Sequence, residues 1–419
     1  MLYDYLVIGA GVTGITLCKK LREKKQQVLV LETKNVPGGL CTTKNINGHQ
    51  LDVGGGHFFH TKHQEVFDYI FGLLPKEEFN YFAPRVSKLK MGETTIDYPL
   101  ESNLWQLPQA EQIEYLISVI RNGESLGRPE PKNYEEWIRW KLGDKICDNY
   151  MIPYNEKLWG VSPSEMDVDW LYKIPRVNVE EVIRYCLDKR QDVNKYPAHI
   201  CFYYPKKGGF QSIVNAIYKD EKDHIVLGER ATSLVRQSDG NWLGNNKYLT
   251  RNIINTTPWN DLYDALGAPK HLEESFKRIQ YNRIVVSLYE KEYSVNWHWR
   301  YVPDRDRLYH REFYIANFAK DSKKNGIYLE TNVKRYQGEE ACFGGKLVYD
   351  EKTDAAYPIP VIGHQNAITE ILDYYKPMNL FGVGVSMSTR MLMFLCIMPC
   401  NLWRRMSNEF GRYTVPSFR

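Results

Sequence analysis

The chain has no C-x-x-C pair and no zinc-ligand spacing, no G-x-x-x-x-G-K-[ST] phosphate loop and no serine-nucleophile elbow. Its eight cysteines, at 18, 41, 147, 186, 201, 342, 396 and 400, form no framework. The scattered cysteines argue against a disulfide scaffold and fit a reducing cytoplasm, and a metal site or hydrolytic triad would have to be assembled from scattered residues, which nothing favours. No apolar run approaches the roughly 20 residues of a membrane helix. Met1-Leu2-Tyr3-Asp4 enters an apolar strand with no leader-like segment, so the expectation is a cytoplasmic chain without a membrane span. Neither sign of charge dominates: 55 basic and 51 acidic residues leave +4, which argues against a nucleic-acid partner.

What is present is length and aromatic surface. With 419 residues the chain exceeds one compact core, and 25% charged residues mark it as globular. Thirty tyrosines and ten tryptophans bring the aromatic fraction to 13%. Such rings can wall a planar ligand or a sugar, or simply fill a core.

The first motif begins at once. Tyr5-Leu6-Val7-Ile8 reads as a strand buried on both faces, and Gly9-Ala10-Gly11-Val12-Thr13-Gly14 follows it into a helix. A second apolar strand ends at Glu32, 18 residues after Gly14. Gly9 suits the tight turn, Gly11 the close approach of backbone to a pyrophosphate, and Gly14 the packing of helix on strand. Glu32 is placed to accept ribose hydroxyls, and the helix N-terminus faces the negative charge. A dinucleotide site is expected here.

Two more glycine-rich loops follow, Pro37-Gly38-Gly39-Leu40-Cys41 and Leu51-Asp52-Val53-Gly54-Gly55-Gly56-His57-Phe58-Phe59-His60-Thr61. This order resembles the FAD domain of the flavin amine oxidase and protoporphyrinogen oxidase superfamily, including its relative UDP-galactopyranose mutase. The resemblance implies FAD, with Gly39 near the diphosphate and Gly55, Gly56 and His57 near the flavin ring. The His-x-Phe-His-Thr string is especially similar to the mutase.

The resemblance implies an α/β fold: a discontinuous Rossmann-type FAD-binding domain of the glutathione reductase kind, with an inserted α+β substrate domain. The first would take residues 1–75, 200–270 and 355–384, and the second 76–199 and 271–354. Leu, Ile, Trp and charge recur at helical spacing from about 105 to 195. Within that stretch Tyr154-Asn155-Glu156-Lys157-Leu158-Trp159-Gly160, followed by Pro163-Ser164-Glu165, resembles both the mutase's mobile loop and the sugar-cluster proteins labelled protoporphyrinogen oxidase-like, with Pro175-Arg176 beyond it. Lys157 and Arg176 are candidates to neutralise a diphosphate, and Trp159 to stack on a base or close the pocket. Arg85 and Arg311 are further candidate substrate contacts. His57, Trp159 and Arg176 are the candidate catalytic residues. Tyr204-Pro205-Lys206-Lys207-Gly208-Gly209 resembles the oxidase side. The stretch 230–235, with Leu234, is expected as the strand lining the adenine, and 253–258 as the strand ending at the flavin.

Residues 385–419 depart from the pattern. They carry five of the ten methionines and two of the eight cysteines, with no amphipathic period. Restoring one base after Gly384 permits Arg-Gln-Tyr-Glu-Tyr-Gln-Asn-Ala-Asp-Val, which resembles the motif that closes the superfamily. Part of this is forced by the genetic code: Met393-Phe394 must yield the closing Val, and further on Met398-Pro399 must yield Ala. The tail is read as a frame-shifted product, with a genuine divergent tail or a membrane-touching one as the alternatives.

The leading expectation is an FAD-dependent oxidoreductase passing a hydride to flavin N5. The alternatives are a mutase-like isomerase of a nucleotide-sugar in surface glycan synthesis, and a cofactor-deficient frame-shifted chain. No metal is expected, and the sequence leaves the oligomeric state open.

Overall fold

The computed structural model describes residues 1–61, 63–168, 171, 178–190 and 201–383. Arg176 and the tail 385–419 lie outside them.

The chain opens with β1 (Leu2–Ile8), α1 (Val12–Glu23) and β2 (Val28–Glu32), then a hairpin of β3 (Thr43–Ile46) and β4 (His49–Asp52). Helix α2 (Gln64–Leu73) leads to β5 (Phe79–Phe82) and to the hairpin of β6 (Ser87–Met91) and β7 (Thr94–Asp97). A helical stretch follows, with α3 (Gln109–Ile120), α4 (Tyr134–Leu142), α5 (Asp144–Ile146), α6 (Ile152–Trp159) and α7 (Val179–Asp188). Between α5 and α6 the backbone takes a π-turn over Cys147–Met151, just ahead of Pro153, which has no N–H to continue an α-helical ladder. Next come β8 (Phe202–Pro205), α8 (Gln211–Tyr218), β9 (Ile225–Leu227), β10 (Leu234–Arg236), β11 (Trp242–Gly244) and β12 (Tyr248–Asn255). Helix α9 (Glu273–Arg278) precedes β13 (Tyr281–Glu290), β14 (Trp299–Tyr301), β15 (Arg311–Tyr314), β16 (Gly326–Asn332) and β17 (Lys346–Pro358). Helix α10 (His364–Tyr375) and β18 (Leu380–Gly382) end the described chain.

Two seven-stranded sheets organise these elements. The first runs β10-β11-β12-β1-β2-β9, and β18 pairs with β12. Its centre, β18, β12, β1, β2 and β9, is parallel. All five residues of β2 are buried, as a strand covered on both faces requires. In register, Ile8 stands beside Leu31 and Asn255, Asn255 beside Gly382, and Glu32 beside Leu227. The carboxyl ends of five parallel strands therefore meet at one edge, where α/β sheets place their ligands. The expected α/β class and discontinuous Rossmann-type sheet are both present.

The second sheet runs β17-β13-β16-β15-β14-β6-β7. One face of it shares a single apolar cluster with the first sheet, joining Val7, Val30 and Phe59 to Trp299, Phe313 and Tyr328. The helical stretch has its own core around Tyr134, Trp137, Ile138 and Trp159. No helix among the described residues is long and apolar enough to cross a membrane.

One sequence expectation shifts. The strand anticipated over 230–235 is reduced to Leu234–Arg236 and sits at the far edge of the first sheet, while Ile225–Leu227 flanks β2. The intervening backbone is drawn elsewhere: Glu229 N–H donates to the Glu32 carbonyl, and the Asn245 side chain accepts from Thr232 and Ser233. Leu234 is buried in the apolar cluster beneath that edge.

Candidate functional site

The glycine turn after β1 is built by close contacts. A Cβ on Gly14 would stand 1.9 Å from the Gly9 carbonyl oxygen, so helix and turn meet backbone to backbone. Gly9 has φ +98°, and a Cβ there would be 2.7 Å from Thr257 and 2.8 Å from Thr256. Gly11 differs: nothing lies within 4 Å of its Cβ position. Helix α1 starts directly after it without a side-chain cap, so the first backbone N–H groups open onto that space. Gly39 seals one wall, its Cβ position 3.2 Å from Gly11 Cα, and Gly38 N–H donates to the Ala10 carbonyl at 2.8 Å.

Glu32 closes the other wall. One carboxylate oxygen accepts the Ala10 N–H at 2.7 Å and the other the Lys34 N–H at 2.8 Å. Each oxygen keeps a second lone pair for a hydroxyl. Open space at the helix start, a backbone-lined floor and a fixed carboxylate fit a dinucleotide's pyrophosphate and ribose.

The third glycine loop is fixed from a distance in sequence. The Cβ positions of Gly55 and Gly56 are taken by the Glu330 carboxylate at 2.8 Å and the Phe313 ring at 2.2 Å. These two residues are glycine because the second sheet presses on their loop. His57 follows on the same loop. Its Nδ1 lies 2.7 Å from the Gly55 carbonyl; since a carbonyl only accepts, Nδ1 carries the proton and Nε2 is the acceptor. Burial lowers the His57 pKa despite the Asp52 carboxylate nearby. Asp52 in turn accepts from Thr43 at 2.6 Å and Tyr204 at 3.1 Å.

Facing this loop, cross-strand register sets Tyr301 opposite Arg311 and Arg311 opposite Glu330. Directly opposed residues share a face. Glu330 is fully buried, accepting from Arg311 at 2.7 and 3.2 Å and standing 3.3 Å from His310 Nε2. Burial alone would raise its pKa, but Arg311 beside it prevails and holds it at about 2. Arg311 also bonds Tyr357. Arg85 lies over the Trp299 ring at 4.2 Å and bonds Tyr301, and burial brings its pKa down to about 10. Tyr301 stands 4.8 Å from Tyr98 and 5.6 Å from Tyr154, ring centre to ring centre. Burial raises the Tyr98 and Tyr154 pKa values, so both hydroxyls remain protonated donors. Two arginines and four tyrosines are thus gathered, and Arg85, Arg311, Tyr98, Tyr301 and Tyr357 keep part of their surface open.

Two expected contacts are engaged differently. Lys157 is buried and donates to the carbonyls of Val302 at 2.7 Å and Asp304 at 2.9 Å, pinning α6 to the loop before β15. Burial lowers its pKa to about 7. Trp159 is 5% exposed, its Nε1 donating to Asn155 Oδ1 at 3.1 Å within the helical core. The sequence reading missed Tyr98, Tyr301, Tyr357 and Glu330. It also passed over Glu101, a buried carboxyl whose pKa burial raises to about 7. The one signal for the tyrosines was their abundance. Among the described residues no cluster of three or more His, Cys, Asp or Glu could hold a metal.

Residues 7–71 match the NAD(P)-binding Rossmann-like domain family. Over 250 residues the chain is 25% identical to the UDP-galactopyranose mutase of Mycoplasma genitalium, covering 58% of each. It spans about half the length of the curated relatives it matches. A crystal structure of reduced UDP-galactopyranose mutase superposes with TM-score 0.81 at 21% identity, covering 92% of this chain and 89% of that one. A protein from Exiguobacterium sp. 255-15 assigned as a protoporphyrinogen oxidase gives 0.74 at 13% identity, covering 97% and 99%. The fold is the one these proteins share, and in sequence the chain is similar to the mutase.

Proposed function

We propose that the chain is an FAD-dependent enzyme that isomerises the sugar of a nucleotide-sugar without net oxidation. The observation that carries this reading is the pairing of Arg85 and Arg311 among Tyr98, Tyr154, Tyr301 and Tyr357, facing the Gly55–His57 loop. Two cations with phenolic donors suit a diphosphate joined to a sugar; an amine or an apolar ring would gain nothing from them. The oxidoreductase reading is placed second, favoured by the Tyr204–Gly209 block, whose Gly208 N–H donates to Asp321 at 2.7 Å as the chain turns into α8.

Gly9, Gly11, Gly14 and the start of α1 hold the FAD pyrophosphate, Gly39 borders it and Glu32 accepts the ribose hydroxyls. The backbone of Gly55, Gly56 and His57 lines the ring. When bound, FAD supplies a centre that accepts and returns an electron pair. Arg311, locked by Glu330, and Arg85 neutralise the substrate diphosphate. The tyrosine hydroxyls donate to phosphate and sugar oxygens. Lys157 and Trp159 hold α6 in place, so their contribution is positional.

The test incubates the purified chain with FAD and UDP-galactopyranose, with and without dithionite. An isomer of unchanged mass that forms only under reducing conditions, with no reductant consumed per turnover, is expected. Substrate-driven bleaching of oxidised flavin would instead establish the oxidoreductase.

A further inference from the structure

Glu330 is gripped from two sides, and the two sides do not share an oxygen. His310 Nε2 stands 3.3 Å from Oε1. Arg311 sends both Nε and Nη2 to Oε2, at 3.2 and 2.7 Å. A carboxylate only accepts, so the His310 proton is on Nε2 and its Nδ1 is bare. That second nitrogen is buried and meets no hydrogen-bond donor. Burial lowers the His310 pKa, which keeps the ring neutral. The residue is 0% exposed, and an unmet buried acceptor destabilises a fold where an apolar side chain would not. Packing alone therefore does not account for a histidine here, whereas the bond to Oε1 does.

That bond decides the posture of Arg311. Arginine and carboxylate commonly close a fork, two nitrogens on two oxygens. Here one oxygen is taken by His310, so Arg311 meets Glu330 through the other alone, and Nη1 makes no bond to it. The guanidinium still bonds Tyr357 and keeps 17% of its side chain open. His310 reaches the same carboxylate as its neighbour because it precedes β15, where the alternation of side chains begins. Its backbone is fixed on both sides: the N–H donates to the Glu330 carbonyl at 3.0 Å, and the carbonyl accepts from the Val302 N–H at 2.9 Å.

We infer that His310 is a positioning residue, which occupies one oxygen of Glu330 so that Arg311 stays turned towards the substrate diphosphate. The inference rests on the nucleotide-sugar reading above. Without the imidazole, Oε1 is free to take Arg311 Nε, the fork closes, and the arginine is drawn from the ligand towards Glu330.

The test titrates the FAD-loaded full chain with UDP. His310→Leu should raise the Kd at least about tenfold. His310→Gln, whose amide N–H falls near the place of Nε2, should stay within about threefold of the unaltered chain. In an Arg311→Lys background no fork can form, so adding His310→Leu should change the Kd by less than about twofold. Should His310→Leu fail to fold by circular dichroism, His310→Asn replaces it, because its shorter amide does not reach Oε1. Equal affinity in His310→Leu and His310→Gln overturns the inference. So does an effect of His310→Leu that persists undiminished beside Arg311→Lys. An unaltered chain that does not bind UDP would remove the nucleotide-sugar reading itself, and this inference with it.

Discussion

Gly11 and Gly14 are three residues apart and are glycine for different reasons. A methyl on Gly14 would collide with the Gly9 carbonyl at 1.9 Å, whereas one on Gly11 would enter open space. Gly11 also has φ −66° and ψ 174°, which alanine adopts without strain. Gly11→Ala should therefore leave the melting temperature of the FAD-free protein within about 2 °C. FAD binding should fall more than about tenfold, because the methyl occupies the space assigned to the pyrophosphate. Gly14→Ala should instead destabilise the fold by about 3 kcal/mol. Thermal melts and an FAD titration check both; undiminished FAD affinity in Gly11→Ala would remove the pyrophosphate from this turn. The spacing of these glycines was legible in the sequence because strand, turn, helix and Glu32 are all local. Gly55 and Gly56 were legible as a tight loop but not in their cause, since the groups that exclude a side chain there come from Glu330 and Phe313, more than 250 residues away.

At the scale of elements, the adjacency of β14, β15 and β16 makes the charged face. Tyr301, Arg311 and Glu330 lie in one cross-strand row, and a one-residue slip would turn all three away. Glu330 is held at about 2, below its value in an unfolded chain. Its contribution to stability is therefore present above about pH 4.5 and is lost as pH falls through that range towards 2. Removing the cation reverses the sign. In Arg311→Met the buried carboxylate loses its partner, its pKa rises, and stability drains as pH increases. The variant should lose about 3–5 kcal/mol at pH 8 and clearly less at pH 5, and adding Glu330→Gln should recover much of the difference. Melting curves at the two pH values decide it, and an equal loss at both would mean that the pair is not the buried contact described. Little of this row could be read beforehand. Arg311 was noted as a possible anion contact, but sequence pattern does not encode that β14, β15 and β16 are neighbours. The tyrosines at 98, 154, 301 and 357 come from four separate stretches and converge only in the fold.

On the scale of the whole molecule, the edge where the parallel strands end joins the two sheets, and the last described strand reaches it. β18 runs parallel to β12 with Gly382 beside Asn255, and the Val383 N–H donates to the Asn255 carbonyl at 2.8 Å. Asn255 is followed by Thr256 and Thr257, which pack on Gly9 in the dinucleotide turn. The chain is thus delivered to the edge of the proposed cofactor site just before the point where its sequence departs from the pattern it otherwise resembles. Residues after the carboxyl end of a parallel strand are those that touch the ligand. A chain carrying Arg-Gln-Tyr-Glu-Tyr-Gln-Asn-Ala-Asp-Val after Gly384 would place an arginine, two tyrosines and five amide or carboxylate side chains there, and its sequence would no longer contain the apolar run Met391–Met398. Restoring the base should therefore raise FAD affinity at least about tenfold, the worth of one charge-assisted contact. It should also lessen aggregation, because the apolar run disappears. The measurement is the visible flavin spectrum of both proteins after purification and again after FAD is added. Equal retention would show that the glycine turn, Glu32 and the Gly55–His57 loop suffice to hold the cofactor. Retention only in the restored chain would make the segment that follows β18 the second half of the site.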